Sequence, residues 1–399
     1  MSQTADVVVI GGGVNGVSVA YALAARGVKA VLVEKGALAS GASGRSSALV
    51  RMHYTNEGDA RLAWASFPVF RNWAELMGGP TVFTHTGFVN VVTPEFADHL
   101  RRNVEMLKGI GVNTTAISAA ELKELQPFAN VDDIGAAAYE PESGYANPAE
   151  TVEGFRRRAT ELGARVLQWT VVTRVVRQES RVTGVETSAG RIDAGSVIVA
   201  AGAWSRRLCA EIGLELPARP KAIDTVAVTR PPELAKGHMV YIDNVLGNYF
   251  RPESGGLTLV GVPCQEWDID PDTLPTGLPP EAAGIGAQLL THRIPAMERA
   301  TLSRGYRAFD GYSADRHAIL GRVDGIDGLY LATAFSGSGF KIAPAVGLCM
   351  AELVTEGRAK TVDIEPFSIS RFAEGRTVEG PYPYAMRPDY IDPKSAEVA

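Results

Sequence analysis

Ala5-Asp-Val-Val-Val-Ile10 runs directly into Gly11-Gly-Gly-Val-Asn-Gly16, and Val17, Ala20, Tyr21 and Ala24 then recur at helical spacing up to Gly27. The first stretch ends in a β-branched run without polar alternation, the pattern of a strand covered on both faces. Gly27 suits a helix C-cap. Lys29-Ala-Val-Leu-Val-Glu34 follows as a second strand. The segment therefore predicts one βαβ unit and a parallel sheet with helices on its faces. Gly11, Gly13 and Gly16 form GxGxxG between strand and helix. Gly11 permits the tight turn, Gly13 lets backbone approach a pyrophosphate, and Gly16 lets the helix pack closely on the strand. The free N–H groups at the helix start offer positive potential to phosphate oxygens. Glu34, at the end of the second strand, is placed to accept from a ribose hydroxyl. The plain alternative is a structural turn and a surface glutamate.

This motif holds the ADP half of either FAD or NAD, so the other half must decide. Val197-Ile-Val-Ala-Ala-Gly-Ala-Trp-Ser205 ends a strand in small residues where a ligand can lie against backbone. Ala334-Phe-Ser-Gly-Ser-Gly-Phe-Lys341 is a second glycine-rich strand-to-helix turn. The dipole of its helix is suited to the pyrimidine edge of a flavin, where negative charge develops on reduction. No second fingerprint for a nicotinamide is present. FAD is the expected cofactor, and an NAD-dependent dehydrogenase is the rival reading.

The rest of the 399 residues bounds the answer. Hydrophobic residues make up 46% and charged residues 21%, which fits a globular protein of about two domains. The net charge of −6 gives no reason to expect nucleic acid or an anionic membrane as partner. Three scattered cysteines and no Cys/His cluster speak against a metal site and fit a reducing cytoplasm. The N-terminus lacks the basic region of a secretory signal, and no apolar run is long enough to span a membrane. Residues 86–92 read as a strand, and 95–108, 148–162 and 342–354 as helices. Residues 165–167, 170–176, 193–201 and 328–334 read as strands. From about 220 to 310, strand-like runs at Thr225-Val-Ala-Val, Leu246-Gly-Asn-Tyr-Phe and Leu257-Thr-Leu-Val predict an antiparallel sheet with two helices. The chain beyond about Gly375, rich in Pro, Tyr and charge, reads as an extended tail.

These motifs, with Gly41-Ala-Ser-Gly-Arg45 and Gly144-Tyr-Ala-Asn-Pro148, resemble the D-amino-acid oxidase superfamily, in its sarcosine oxidase and glycine oxidase branch, over about residues 5–372. The resemblance implies an α/β (α+β overall) architecture: a Rossmann-type FAD-binding domain with a central parallel sheet, and a substrate domain whose mostly antiparallel sheet roofs the flavin. It implies residues 1–79, 143–218 and 315–375 for the first, 80–142 and 219–314 for the second, and a tail over 376–399. The implied FAD-binding residues are Gly11, Gly13, Val14, Asn15, Gly16, Glu34, Lys35, Ser43, Gly44, Arg45, Ser46, Ser47, Val172, Ala201, Gly202, Trp204, Gly337, Ser338, Gly339, Phe340 and Lys341. Arg51-Met-His-Tyr54 looks like the segment that supplies a carboxylate-binding arginine in sarcosine-oxidase-like enzymes. Lys341 matches the second carboxylate partner, and Tyr249 a tyrosine of the roof. His53 and Tyr54 complete the candidate site. A carboxylate entering a partly dry pocket needs a cation, preferably a forked donor such as Arg. A cation at a helix start also opposes the dipole, so local stability does not account for Lys341.

Two departures from the family pattern matter. The stretch Gly305–Asp315 holds no cysteine, and Ala308 falls near the position used for covalent flavin attachment, so non-covalent FAD is expected. The roof lysine that promotes reaction with oxygen is replaced by Thr258 or Leu259, which weakens the oxidase reading and favours a dehydrogenase. The expected reaction is hydride transfer from the α-carbon of a small amino acid or N-alkyl amino acid to flavin N5, giving an imine that hydrolyses. Partners are that substrate and O2 or an electron carrier, with homo- and hetero-oligomers both open. A subunit of a multi-subunit amine or opine dehydrogenase, similar to the sarcosine oxidase β-subunit type, and a non-catalytic FAD-binding assembly protein are the alternatives.

Overall fold

A computed structural model describes residues 3–385. The opening strand, Gln3–Ile10, is exposed on alternate residues at first and fully buried over Val7–Ile10, because its C-terminal half lies mid-sheet. It pairs in parallel with Ala30–Val33 on one side and Gly190–Val199 on the other. Arg165–Leu167 and Leu329–Thr333 extend the parallel set. Three antiparallel additions, Val172–Gln178, Arg181–Thr187 and Ile319–Arg322, complete an eight-stranded sheet. Helices Val14–Ala24, Pro148–Glu161, Glu57–Arg71 and Gly339–Glu356 pack into one apolar layer. Glu57–Arg71 starts cleanly because the Asn56 side chain accepts from Asp59 N.

The second sheet also has eight strands, in the order 301–313, 218–229, 257–262, 248–253, 240–243, 88–92, 136–140 and 115–117. All neighbours are antiparallel except Val240–Asp243 beside Phe88–Val92. Alternation divides its two faces. Val226, Phe250 and Val260 join an apolar cluster with Leu289 and Leu290 of helix Pro280–Arg293. On the opposite face, Ile223, Ile242 and Tyr249 turn toward the large cavity.

Most of the expected elements are present, with boundaries moved by a few residues. The expectation of two helices between 220 and 310 is corrected: among the described residues there is one α-helix there, Pro280–Arg293. Pro295 follows it, and Pro295–Arg299 closes in a 3-10 turn instead of a second helix, since proline supplies no N–H to continue an α-helical ladder. The late helix begins at Gly339, earlier than read from sequence, and tolerates Pro344 in its second turn. Of the tail, residues 376–385 run without helix or strand, and 386–399 lie outside the described residues. Among the described residues no helix is long and apolar enough to cross a membrane.

Candidate FAD and substrate site

Strand Gln3–Ile10 delivers its chain to a turn at Gly11, whose φ of +113° is a left-handed value. A Cβ there would sit 2.4 Å from Ala200 O, and one at Gly16 would sit 1.9 Å from Gly11 O. Both glycines are thus required by close backbone approach. Helix Val14–Ala24 then opens onto a cavity of about 480 Å³ that runs between the two sheets. Its first turn holds no acidic residue and Gly13 gives no side-chain cap; Ser43 Oγ accepts from Val14 N at 2.9 Å. Glu34 lines the same cavity and is fixed by Gly12 N at 2.6 Å and Gly36 N at 2.8 Å. Each carboxylate oxygen keeps a lone pair for a further donor.

A second helix N-terminus meets this one. In the turn before Gly339–Glu356, Ala334 and Ser336 hold left-handed φ values of 52° and 53°, conformations that cost non-glycine residues about 1 kcal/mol each or more. Asp310 stabilises the turn by accepting from Gly337 N at 2.9 Å and Gly311 N at 2.8 Å. Burial raises the Asp310 pKa, against these bonds and Lys341. Asn15 ties the two turns together: its Nδ2 donates to Gly339 O at 3.2 Å, while its buried Oδ1 has no partner among the described residues. Phe340 packs on Phe70 with ring centroids 6.0 Å apart, which fixes the helix start. This helix also has no acidic residue in its first turn. Two helix N-termini without an acidic residue in their first turns face one cavity, which fits a ligand with separated anionic regions.

The remaining walls come from Ala201, Gly202 and Trp204, from Val172, and from Ser46, Ser47 and Arg45. A loop of the second sheet reaches across the outer end. Asp272 accepts from Trp204 Nε1 at 2.9 Å and pairs with Arg207 at 2.5 Å and with Lys35. The Lys35 Nζ lies 3.8 Å from the Trp204 ring centroid. Burial works against the Asp272 carboxylate, but these donors outweigh it and hold its pKa down at about 2.

Arg51 and Lys341 meet at the inner end. Arg51 follows the short strand Leu49–Val50; its guanidinium lies 4.5 Å from the Tyr54 ring centroid, and its Nη1 donates to His53 O. Its buried Nε has no partner among the described residues. Lys341 is 5% exposed; its Nζ has only Gly337 O and Ser338 O, each at 3.5 Å, and lies 5.7 Å from the same Tyr54 ring. Neither cation has an ion-pair partner among the described residues. Burial first, and then the neighbouring Arg51, push the Lys341 pKa well below the usual lysine value, against the pull of Asp59 and Asp310. Burial raises the Tyr54 phenol to about 12. Tyr249 lines the cavity from the second sheet; its ring lies on the bare backbone of Gly261, and its hydroxyl accepts from Ser47 at 3.3 Å.

Several candidates do not line the cavity. Gly16 and Gly44 act through packing, and Ser338, Tyr54 and His53 stand behind the wall. His53 is buried, and burial together with Arg51 lowers its pKa to about 3, so it is a neutral ring that supports the wall from behind. Neither Thr258 nor Leu259 reaches the cavity, and Thr258 Oγ1 is engaged by His238 Nε2 at 2.8 Å. The lysines lining the cavity are Lys35 and Lys341; Lys221, on the second sheet, directs its Nζ at Trp267 and Tyr312. Sequence reading missed Asp310, Tyr312, Asp272 and Ile242. Asp310 and Tyr312 stood within the stretch inspected for a flavin-linking cysteine, and their alternation along strand Thr301–Ser313 was the available signal.

Among the described residues, no cysteine or histidine lines the cavity. FAD is therefore expected to leave the protein on acid precipitation. Yellow colour in the supernatant is the expected result, and colour retained in the washed pellet is the opposing one.

Comparison with known proteins agrees with this geometry. Glycine oxidase of Geobacillus kaustophilus is 28% identical, over 93% of this chain and 98% of that protein. Sarcosine oxidase subunit beta of an Arthrobacter species is 26% identical, over 94% and 92%. The crystal structure of L-proline dehydrogenase from P. horikoshii superposes with a TM-score of 0.86 at 28% identity, covering 94% of this chain and 99% of that one. Residues 6–353 match the DAO family, FAD dependent oxidoreductase. With FAD rather than NAD as its dinucleotide, and two flavoenzyme hallmarks meeting in one cavity, the chain belongs to the DAO family of FAD-dependent oxidoreductases.

Proposed function

We propose that the protein oxidises the C–N bond of a small amino acid or N-alkyl amino acid, whose carboxylate is held by Arg51 and Lys341. One observation carries this reading: two cations without counter-ions among the described residues share the inner wall of the FAD cavity, both close to one tyrosine ring. Two unneutralised cations side by side are costly unless an anion joins them. The relatives named above for glycine, sarcosine and L-proline concern substrates that all carry a carboxylate and an amine.

In this mechanism Arg51 offers forked donors and Lys341 a point charge, which together fix the acid group and so orient the α-carbon. Tyr249 covers the substrate from the second sheet. When bound, FAD is held by the Gly11–Gly16 turn, Glu34 and the Gly337–Lys341 turn, and supplies at N5 an acceptor for the hydride leaving the α-carbon. The N-terminus at Gly339 stabilises negative charge accumulating beside it. No side chain is needed as a strong base if the amine arrives neutral, and the imine product hydrolyses in water.

We favour an acceptor other than oxygen, because among the described residues no lysine of the second sheet lines the cavity and superoxide formation gains less electrostatic help without one. The division into residues 1–79, 143–218 and 315–375 against 80–142 and 219–314 is supported by the strands, since, Ala218 apart, each eight-stranded sheet draws on one set, while a three-stranded sheet of Leu49–Val50, Gly144–Ala146 and Phe83–His85 joins the two. The three unpaired cysteines suit the cytoplasm. Anaerobic mixing of the FAD-loaded protein with glycine, sarcosine, L-proline, N,N-dimethylglycine and D-alanine tests the activity. Bleaching of the flavin band by at least one is expected; an oxidised flavin with all of them would favour a non-catalytic FAD-binding role.

A further inference from the structure

The chain continues beyond the family match, which ends at residue 353, and its last described residues return to the substrate end of the cavity. Val378 N donates to Asp315 at 3.0 Å. Gly380 crosses the backbone of Thr55 so closely that a Cβ would lie 2.0 Å from Thr55 O. Asn103 Nδ2 donates to Tyr382 O and to the Tyr384 hydroxyl, each at 2.8 Å. His99 Nδ1 bonds Pro383 O at 2.7 Å. The Tyr384 hydroxyl then meets His53 Nε2 at 3.0 Å, with the two rings stacked at an interplanar angle of 9°.

Two of these contacts, Gly380 on Thr55 and Tyr384 on His53, fall on residues 53–55, a segment without helix or strand. The carbonyl of His53 is the acceptor for Arg51 Nη1. On the other side Glu140 Oε2 accepts from Met52 N at 3.0 Å and from Ser143 at 2.6 Å. The Arg51 side chain is therefore aimed by a loop clamped between Glu140 and the tail. We propose that Tyr384 is a positioning residue for substrate binding: by bonding His53 it fixes the carbonyl that orients the Arg51 guanidinium toward the substrate carboxylate. The proposal rests on the reading of Arg51 as carboxylate anchor. Without the hydroxyl, His53 Nε2 loses its partner in a buried place and the loop relaxes.

Anaerobic stopped-flow reduction of the FAD-loaded full chain by glycine, sarcosine and L-proline, beside glycinamide, sarcosinamide and L-prolinamide, tests it. Tyr384→Phe is expected to raise the apparent Kd of the acids about tenfold, to lower their limiting reduction rate by less than Arg51→Gln does, to leave the amides within about twofold, and to retain FAD. Arg51→Gln raises the acid Kd further, and adding Tyr384→Phe to it has no additional effect, as two residues acting through one contact require. His53→Gln reports on the same relay should Tyr384→Phe lose FAD, and is expected to show the same acid-selective loss. Wild-type acid affinity in Tyr384→Phe, with Arg51→Gln impaired, overturns the proposal and leaves the carboxylate reading standing. Equal loss for acids and amides, or additivity in the double variant, reduces Tyr384 to a structural role and overturns it too. Wild-type affinity in Arg51→Gln, or no reduction by any acid, overturns both readings.

Discussion

Replacing Arg51 by Gln or Lys341 by Met is expected to raise the Kd for an amino-acid substrate on the order of 100-fold, while FAD stays bound. The magnitude follows from the site. A buried, hydrogen-bonded charge pair that loses one partner costs about 2–5 kcal/mol, and about 1.4 kcal/mol is a factor of ten. The two variants are expected to differ in kind. Arg51 carries a fork held by His53 O and stacked on Tyr54, so its loss removes orientation as well as charge, and the limiting rate of flavin reduction falls with affinity. Lys341 is a compact charge on the rigid start of a helix, so its loss acts mainly on affinity. Titration of flavin reduction against substrate concentration separates the two terms. Substrate affinity unchanged in both variants would remove these residues from the site. Retained FAD is expected because neither side chain supports the Gly11–Gly16 turn or Glu34, which hold the other end of the cavity.

What the amino-acid order revealed about this site depended on distance along the chain. The βαβ unit was legible because its information is local: a β-branched strand, a turn whose glycines relieve backbone contacts of 1.9–2.4 Å, and a capping glycine. The second glycine turn was legible for the same reason. Arg51 and Lys341 stand 290 positions apart, and only the family resemblance brought them together; composition and periodicity place each on a loop or a helix start and nothing more. The Asp272 clamp and the Tyr384–His53 contact were not legible at all. Each joins segments that no short-range rule couples, and a proline- and tyrosine-rich tail gives no periodic signal of the surface it will cover. The overpredicted helix between 220 and 310 has a similar origin. Where a second helix was expected, Pro295 breaks the α-helical ladder, and the irregular stretch 263–279 is held instead by contacts such as Asp272 with Trp204 and Arg207, which lie far away in sequence.

Carboxylate binding is expected to take up a proton, and the affinity to fall about tenfold per pH unit over the range where the free site holds a neutral Lys341. The sign follows from the surroundings of Lys341. Burial and the Arg51 charge disfavour its ammonium, and Asp59 and Asp310 only partly restore it. A lysine whose folded pKa lies below its unfolded one destabilises the fold progressively as pH falls from the unfolded value toward the folded one, because the unfolded chain binds the proton more tightly. A bound carboxylate reverses this. It places a negative charge against both cations, raises the Lys341 pKa and favours the protonated form. Between the depressed pKa of the free site and the raised pKa of the complex, binding therefore consumes one proton, worth about 1.4 kcal/mol per pH unit. Below that window both states are protonated and the dependence vanishes. Acetate, which cannot be oxidised at a C–N bond, isolates the effect from the titration of a substrate amine; its affinity is read from the perturbed flavin spectrum, and its proton uptake from calorimetry in buffers of different ionisation enthalpy. In Lys341→Met the slope is expected to disappear while Arg51 still binds weakly. A wild-type affinity that stays flat as pH rises, with no proton taken up, would mean that Lys341 keeps its charge in the free site and that the two cations are not competing for one anion.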